Sequence, residues 1–262
     1  MSASPKRTAV VLGGSRGIGR AIAERLARER CHVVVNFSRR LDDAEATVAA
    51  IAAAGGSAEI AQADIGDLDQ IRALFAGLRE RHDHIDILVN NAARGIERPR
   101  DALKAMPKHL LHTLQVNVLG PWFCSQEAAK TMPSGGRIVS LSSLGASRYA
   151  PRYAAVGVSK AALEALTRYL AVELAPRGIA VNTVSAGLVE GSEGLRMFPP
   201  EMAGLLERRI PAGRNVRPDD VAALVAFLCS EEAALICGQT IMIDGGFSLL
   251  GWDLLGTLEG LP

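Results

Sequence analysis

The sequence predicts an α/β fold in which about seven strands form a doubly wound, mostly parallel sheet with helices on both faces. Short β-branched segments alternate with Ala/Leu/Arg-rich segments of helical pattern along the whole chain. Repeated strand-helix-strand units favour a parallel sheet that helices cover on both faces. A length of 262 residues suits one large α/β domain, so we expect a single domain over residues 1–262.

The predicted elements follow one another in a regular order. The strands are TAVVL, HVVVNF, AEIAQAD, IDILVNN, GRIVSLSS, IAVNTVS and TIMID. The helical segments are GIGRAIAERLARER, an Ala-rich stretch from Asp42 to a C-cap at Gly55 and Gly56, and segments that end near Arg81, Met132, Ala175 and Cys229. Residues 187–214 are less regular, which is typical of a mobile substrate-covering segment and equally of a plain surface insert.

Composition argues against several classes of function. Lys and Arg total 29 against 28 Asp and Glu, which gives no bulk electrostatic reason to expect nucleic acid or an anionic membrane as partner. The longest apolar run, VAALVAFLC, is too short to span a bilayer, and the start MSASPKRTAV has no signal-peptide pattern, so we expect a soluble cytoplasmic protein. The four cysteines form no zinc-ligand spacing, which predicts buried packing and no metal site.

A glycine-rich turn follows the first strand. In GGSRGIG, Gly13, Gly17 and Gly19 stand where the strand turns into a helix. Glycines allow a tight turn and close backbone approach, and a helix N-terminus offers amide donors and partial positive charge to a pyrophosphate. The strand-turn-helix setting therefore predicts a dinucleotide site.

The end of the second strand indicates which dinucleotide binds. VVVNFSRR lacks the acidic residue that would bind a ribose 2′-hydroxyl. Arg39 and Arg40 follow the strand instead, and Arg16 lies in the glycine turn. Because arginine binds a phosphate through two parallel donors, we predict NADPH rather than NADH. The alternative is that Arg39 and Arg40 are simply solvated.

Several motifs together resemble the short-chain dehydrogenase/reductase family, whose members have a Rossmann fold. They are GGSRGIG, NNA at Asn90 to Ala92, Asn117, Ser142 and Ser143 after the fifth strand, Lys160, and IDGG at Ile243 to Gly246. Within that family, SSLGASRYAPRYAAVGVSKAALEALTRYLAVELAP, with NNAARG upstream and PAGR and GQTIMIDGG downstream, closely resembles the NADPH-dependent enoyl-acyl-carrier-protein reductases of the third type. These enzymes also have six residues between tyrosine and lysine.

The resemblance implies roles for individual residues. Asp64 and Ile65 would flank the adenine, and Asn91 would begin the floor under the nicotinamide. Asn117 would support an active-site water chain, although an asparagine that caps its own helix is an alternative. Taken together, the motifs and the resemblance predict these cofactor contacts: Gly13, Ser15, Arg16, Gly17, Ile18, Gly19, Arg39, Arg40, Asp64, Ile65, Asn91, Ala92, Lys160, Gly187 and Val189.

The wide spacing of Tyr153 and Lys160 points to the reaction. Seven residues at ~100° each return to nearly the same helix face with a rise of ~10 Å, provided that the helix includes Tyr153. Reduction of a ketone adds hydride to the carbon that carries the oxygen, so a short reach suffices. Reduction of an α,β-unsaturated thioester adds hydride to C3 while charge develops on an oxygen two carbons away. A tyrosine one turn further from the lysine suits this oxygen, which predicts enoyl reduction.

In this hypothesis Tyr153 donates a hydrogen bond to the developing enolate oxygen. Lys160 holds the nicotinamide ribose and favours the ionised phenol, and Ser143, more than Ser142, is a second contact. Tyr149 is an alternative donor, although Pro151 argues that Tyr149 lies in the preceding loop. The competing functions are a 3-oxoacyl or other carbonyl reductase and a non-catalytic NADPH-binding protein.

The expected partner is an acyl thioester carried by coenzyme A or by acyl carrier protein. A basic rim for an acidic carrier would consist of Arg98, Arg100, Lys104, Lys108, Arg196, Arg208 and Arg209, and solvated side chains are the alternative. The resemblance implies a homotetramer, or a homodimer, built through the fourth and fifth helices and the C-terminal strand. The apolar C-terminus FSLLGWDLLGTLEGLP fits oligomer packing or a wall of the substrate cleft.

Overall fold

A computed structural model describes residues 7–95 and 101–250 of the chain. Its seven strands form one sheet in the order β3-β2-β1-β4-β5-β6-β7, and every adjacent pair is parallel. The strands are β1 (Thr8–Leu12), β2 (His32–Phe37), β3 (Ser57–Gln62), β4 (Ile87–Asn90), β5 (Arg137–Ser143), β6 (Ala180–Ala186) and β7 (Thr240–Ile243). The predicted seven-stranded parallel sheet is confirmed.

Helices cover both faces of the sheet. They are α1 (Gly17–Arg28), α2 (Leu41–Ala53), α3 (Leu68–Arg81), α4 (Pro107–Leu114), α5 (Gly120–Ala129), α6 (Ala154–Leu174), α7 (Pro200–Arg208) and α8 (Pro218–Leu228). One core packs Ile22 of α1 and Val225 of α8 against one face of the sheet. The other core packs Phe75 of α3 and Leu163 of α6 against the opposite face. The strand order turns back at β1, between β2 and β4, and open α/β sheets bind their ligands at such a point.

The predicted fourth helix is interrupted. A π-helical turn at Gln115–Leu119 separates α4 from α5, and Asn117 lies within it. Pro121 has no amide hydrogen to donate to the carbonyl of Asn117, its normal helical partner. A Cβ on Gly120 would lie 2.5 Å from the carbonyl oxygen of Ile65, so the helix approaches that loop closely. Such π-turns often occur at functional sites.

The irregular segment 187–214 contains a short 3-10 helix at Leu195–Met197 and the short helix α7. Val189, near its start, forms an isolated parallel bridge with Val216. Cys31, Cys124 and Cys229 are buried and Cys237 is half-buried, all as free thiols. Burial raises the pKa of Cys31 to about 11 and that of Cys229 to about 12, as inert packing residues require. Among the described residues, no helix is both long enough and apolar enough to cross a membrane.

Candidate active site

The glycine turn between β1 and α1 has the backbone that its sequence predicts. Gly13 and Gly17 have positive φ angles of 67° and 53°, which residues other than glycine rarely adopt. A Cβ on Gly19 would lie 2.0 Å from the carbonyl oxygen of Gly13 and 2.5 Å from Nδ2 of Asn91. Helix α1 begins at Gly17, and no side chain caps its first amides. The turn therefore presents backbone donors at a helix N-terminus, as a pyrophosphate requires.

Two asparagines hold this turn in place. The amide of Gly13 donates to Oδ1 of Asn36 at 3.2 Å, and the amide of Gly14 donates to the Asn36 carbonyl at 2.9 Å. From the other side, Nδ2 of Asn91 donates to the Gly13 carbonyl at 2.8 Å. Sequence reasoning identified Asn91 but missed Asn36. A polar residue within the buried strand HVVVNF is the signal that marks Asn36.

The turn opens into a cleft of about 960 Å³ at the carboxyl ends of the strands, near the upper end of the range for small-molecule sites. Twelve of the predicted cofactor residues line it: Gly13, Ser15, Arg16, Gly17, Ile18, Gly19, Arg39, Arg40, Asp64, Ile65, Asn91 and Ala92. Lining residues that the sequence analysis did not assign to the cofactor are Asn36, Phe37, Ser38, Ala63, Ala93, Arg94, Gly95, Val116, Gly191, Ser192, Glu193 and Arg196.

The cleft has the charge that NADPH requires. Arg39 and Arg40 lie directly after β2 and are exposed at the cleft wall, with Arg16 in the turn beside them. The Arg40 guanidinium lies 3.6 Å from the Asp43 carboxylate. Because this ion pair is mostly exposed, a phosphate can take the place of the carboxylate with little loss of free energy. No acidic residue stands at the end of β2 to repel a 2′-phosphate. The residues present therefore fit NADPH.

The segment after β6 reaches across this cleft. Gly191, Ser192, Glu193 and Arg196 line it, and Glu193 accepts a hydrogen bond from Arg16 at 3.0 Å. Both partners of this ion pair are more than half exposed, at 52% and 57%. The contact is therefore weak and can open to admit a ligand. Part of the segment 187–214 therefore lies at the cleft, and its role as a mobile substrate cover stays a prediction.

Tyr153 lies beside Ser143, as the sequence analysis expects. Its hydroxyl donates to Oγ of Ser143 at 3.1 Å, and its ring lies where a Cβ on Gly145 would be. Burial raises the pKa of Tyr153, and the Ser143 hydrogen bond opposes this in part. Tyr149 is 88% exposed in the preceding loop. Ser142 donates to Glu164 at 2.5 Å and not to the tyrosine.

The condition that the helix includes Tyr153 is not met, because Tyr153 lies one residue before it. Helix α6 begins at Ala154, and Tyr153 is its N-cap residue with φ −110° and ψ 4°. Arg152 has a left-handed φ of 58°, which turns the chain away from the helix axis just before Tyr153. The carbonyl of Tyr153 still accepts the first helical hydrogen bond, from Gly157 at 2.8 Å. Tyr153 therefore stands at the rim of the helix, about two turns from Lys160.

Lys160 is buried, with 6% of its surface exposed, and its Nζ donates to the Leu141 carbonyl at 2.7 Å. Burial lowers the pKa of Lys160 to about 8, and nearby Glu164 opposes the shift. We expected Lys160 to favour the ionised form of the Tyr153 phenol. The pKa of that phenol is raised instead, because burial outweighs every opposing interaction. Tyr153 is a neutral hydrogen-bond donor in this structure.

Asn117 connects the cleft to the lysine helix. Its Oδ1 accepts from the Arg94 amide at 2.7 Å, and its Nδ2 donates to the Arg94 carbonyl at 3.1 Å and to Ser159 at 3.0 Å. Arg94 lines the cleft, and Ser159 precedes Lys160. The fully buried Asn117 therefore positions both elements. Its side chain does not cap its own helix.

Six predicted residues are not among those that line the cleft within the described part of the chain: Asn117, Ser143, Tyr153, Lys160, Gly187 and Val189. Of the first four, Tyr153 donates to Ser143, whereas Lys160 and Asn117 bond to other residues as described above. Val189 is 3% exposed and packs in the core, and a Cβ on Gly187 would lie 2.6 Å from that of Asp244. The geometry gives Gly187 and Val189 packing roles, and their assignment to the cofactor stays a prediction.

Comparison with known proteins extends over nearly the whole chain. A family model described as enoyl-(acyl carrier protein) reductase matches residues 13–248. The 1-cyclohexenylcarbonyl-CoA reductase of Streptomyces collinus is 40% identical over 95% of this chain and 89% of its own length. A short chain dehydrogenase from Burkholderia cenocepacia J2315, solved in complex with NADP, is 39% identical with a TM-score of 0.84, over 92% of this chain and 97% of its own.

The chain belongs to the short-chain dehydrogenase/reductase family. A further relative, the 3-oxoacyl-[acyl-carrier-protein] reductase FabG of Staphylococcus aureus, is 36% identical over 92% of this chain and 97% of its own length. As a short-chain dehydrogenase/reductase with an arginine-lined dinucleotide cleft, the protein is an oxidoreductase that uses NADPH.

Proposed function

We propose that this short-chain dehydrogenase/reductase reduces the 2,3 double bond of an enoyl thioester with NADPH, in fatty acid or polyketide synthesis. The observation that carries the proposal is the position of Tyr153 at the very start of α6, with its hydroxyl held by Ser143. The name of the Streptomyces collinus relative describes a thioester carbonyl conjugated to a ring double bond, which is the same chemical class.

When bound, NADPH supplies the hydride that the double bond receives at C3. Charge then develops on the thioester oxygen, two carbons further along the substrate, and a proton taken up from solvent at C2 would complete the reduction. Tyr153 lies seven residues before Lys160 and just before the first residue of α6, and this separation of about two turns suits such an oxygen. The Tyr153 hydroxyl, whose hydrogen goes to Ser143 in this structure, would turn to donate to this oxygen, and this hydrogen bond would lower the barrier.

Each neighbouring residue has a distinct task. Burial keeps the Tyr153 phenol protonated at neutral pH, since it raises the pKa of the phenol, and Ser143 orients its hydroxyl. Lys160 supplies a buried ammonium for the nicotinamide ribose, anchored by the Leu141 carbonyl. Asn117 fixes the Arg94 backbone at the cleft and Ser159 next to Lys160.

A 3-oxoacyl or other carbonyl reductase is the second candidate. The relative FabG, whose name gives this activity, supports it at 36% identity. The same cleft would bind NADPH, and the ketone carbonyl of the substrate would bind closer to Tyr153. The spacing of Tyr153 and Lys160 favours the enoyl substrate, because a ketone oxygen lies next to the carbon that receives hydride.

We also propose that the protein is a homotetramer, or a homodimer. Large apolar side chains are exposed on the helices that the family resemblance implicates: Leu111, Leu119, Trp122, Val158, Tyr169 and Val172. An exposed apolar face of this kind gains stability when a second copy covers it. The C-terminal residues 251–262, which we expected to join this packing or to line the cleft, lie outside the described residues.

Substitution of the two tyrosines tests the proposed catalytic group. Tyr153→Phe should lower the turnover of crotonyl-coenzyme A by at least ~100-fold, because the hydrogen bond to the developing charge is lost. The Kd for NADPH, measured by fluorescence, should stay unchanged. Tyr149→Phe is the matched control, and since Tyr149 is 88% exposed its turnover should stay near that of the wild type. Near-normal turnover of Tyr153→Phe would refute the assignment.

A further inference from the structure

A second cluster of ligand-type side chains lies at the amino ends of the strands, away from the cleft. His32 is the first residue of β2, Glu59 lies in β3, and His82 directly follows α3. One potential ligand atom from each of the three residues lies within 4.8 Å of the others. Phe37, at the other end of β2, lines the cleft. Because a strand rises ~3.3 Å per residue, the length of β2 from His32 to Phe37 places the cluster about 16 Å from the cleft.

The local sequence brings the three side chains to one face of the sheet. His32 pairs with Ser57 and Val34 pairs with Glu59, and residues two apart in a strand share a face. Val34 packs in the core that α3 covers, so His32 and Glu59 lie on the α3 side. Helix α3 ends at Arg81, and extended backbone at His82 brings its ring to Glu59, with Nε2 3.0 Å from Oε1.

The geometry matches a tetrahedral metal ion. In a tetrahedral zinc site the ligand bonds are about 2.0–2.1 Å long, so neighbouring ligand atoms lie about 3.3 Å apart. The centroids of two imidazole rings that bind the same ion then lie about 5 Å apart. The centroids of His32 and His82 are 5.2 Å apart, and the rings are tilted by 39°. Small side-chain rotations therefore suffice to close the site around an ion.

The surroundings support metal binding as well. The Ser57 hydroxyl lies 2.7 Å from Nδ1 of His32 and orients the ring, as outer-shell partners do at metal sites. The His82 and Glu59 side chains are 14% and 29% exposed, which leaves the site partly open to water.

We propose that His32, Glu59 and His82 bind one divalent transition-metal ion, with Zn²⁺ as the best match. Two imidazoles and one carboxylate form a ligand set that zinc uses, and water would complete the fourth position. Because the site joins β2, β3 and the end of α3 far from the cleft, the ion stabilises this corner of the fold and takes no part in hydride transfer. Arg81, 3.3 Å from Oε1 of Glu59, competes with the ion for the carboxylate.

Zinc titration of the tag-free, metal-stripped protein tests the site. Isothermal titration calorimetry should find one Zn²⁺ per chain, and Co²⁺ in its place should give the visible spectrum of a tetrahedral ion. His32→Gln and His82→Gln should each weaken zinc binding by at least about tenfold, as loss of a ligand does. His84→Gln is the matched control, since His84 contacts Asp86 outside the cluster. Zinc should raise the Tm of the wild type and not that of His82→Gln.

Further measurements guard against misfolded variants. Arg81→Gln leaves all three ligands in place and removes the competing cation, so it should bind zinc at least as tightly as the wild type. NADPH binding by every variant reports that the fold is intact. Absence of zinc binding to the wild type, or binding that is unchanged in both His32→Gln and His82→Gln, would overturn the proposal. Weaker binding by Arg81→Gln would also contradict it.

Discussion

Replacement of Lys160 by methionine should stabilise the protein while it abolishes turnover. Burial lowers the pKa of Lys160 from 10.5 to about 8. Since one pKa unit corresponds to about 1.4 kcal/mol, the buried charge costs about 3 kcal/mol at pH 7. The variant loses the hydrogen bond from the charged Nζ to the Leu141 carbonyl, which is worth about 2 kcal/mol. The net expectation at pH 7 is a gain of about 1 kcal/mol in the free energy of unfolding.

The pH dependence of this gain follows from the direction of the shift. Between the folded pKa of about 8 and the unfolded value of 10.5, the unfolded chain binds more protons at this site than the folded chain. The stability of the wild type therefore rises with pH across this window relative to Lys160→Met, and the gain shrinks toward zero.

Urea unfolding at pH 7 and pH 10, at one fixed protein concentration, measures both effects. Lys130→Met is the matched control, because Lys130 is 58% exposed in an ion pair with Glu127 and its loss should change stability by less than ~1 kcal/mol. A Lys160→Met variant that is destabilised by the same amount at both pH values would refute the argument from burial.

Three further predictions concern the cofactor and the carrier. Gly19→Ala should raise the Kd for NADPH about tenfold or more, because the new Cβ would lie 2.0 Å from the Gly13 carbonyl oxygen and overpacking costs about 1–3 kcal/mol. An unchanged Kd, measured by fluorescence titration, would contradict this prediction. Joint replacement of Arg39 and Arg40 by alanine should raise the KM for NADPH about tenfold or more and leave the KM for NADH unchanged. The reason is that each charged hydrogen bond to the 2′-phosphate contributes about 1.5–3 kcal/mol. An equal rise in KM for both cofactors would contradict a specific role in binding the 2′-phosphate. Joint replacement of Arg208 and Arg209 by glutamate should raise the KM only for substrate bound to acyl carrier protein. An equal rise in the KM for the coenzyme A ester would reject the proposed basic rim. Two residues of that rim, Arg98 and Arg100, lie outside the described residues.

The parts of the site that sequence predicts are those set by local pattern. Gly13, Gly17 and Gly19 follow a strand and open a helix, so their backbone is determined within a few residues. Arg39 and Arg40 line the cleft because every parallel strand delivers the residue after its carboxyl end to the same edge of the sheet. The proximity of Ser143 and Tyr153 follows in the same way from the end of β5 and the start of the next helix.

Other features depend on contacts between distant segments, and local pattern does not report them. Asn36 holds the glycine turn across two strands, and Glu193 reaches Arg16 from a segment 177 residues later in the chain. Lys160 has a lowered pKa only because folding buries it. The π-turn at Asn117 was also missed, although Gly120 and Pro121 in a helical pattern are a recognisable signal for a break.

The most direct test of the proposed function is a competition between two thioesters for the wild-type enzyme. Crotonyl and acetoacetyl thioesters, each on coenzyme A and on acyl carrier protein, are mixed in equal amounts with NADPH, and the products are separated by mass. Enoyl reduction predicts that kcat/KM favours the crotonyl thioester and that the butyryl thioester is the main product. A preference for the acetoacetyl thioester, with 3-hydroxybutyryl product, would identify a ketoreductase and contradict our interpretation of the spacing between Tyr153 and Lys160.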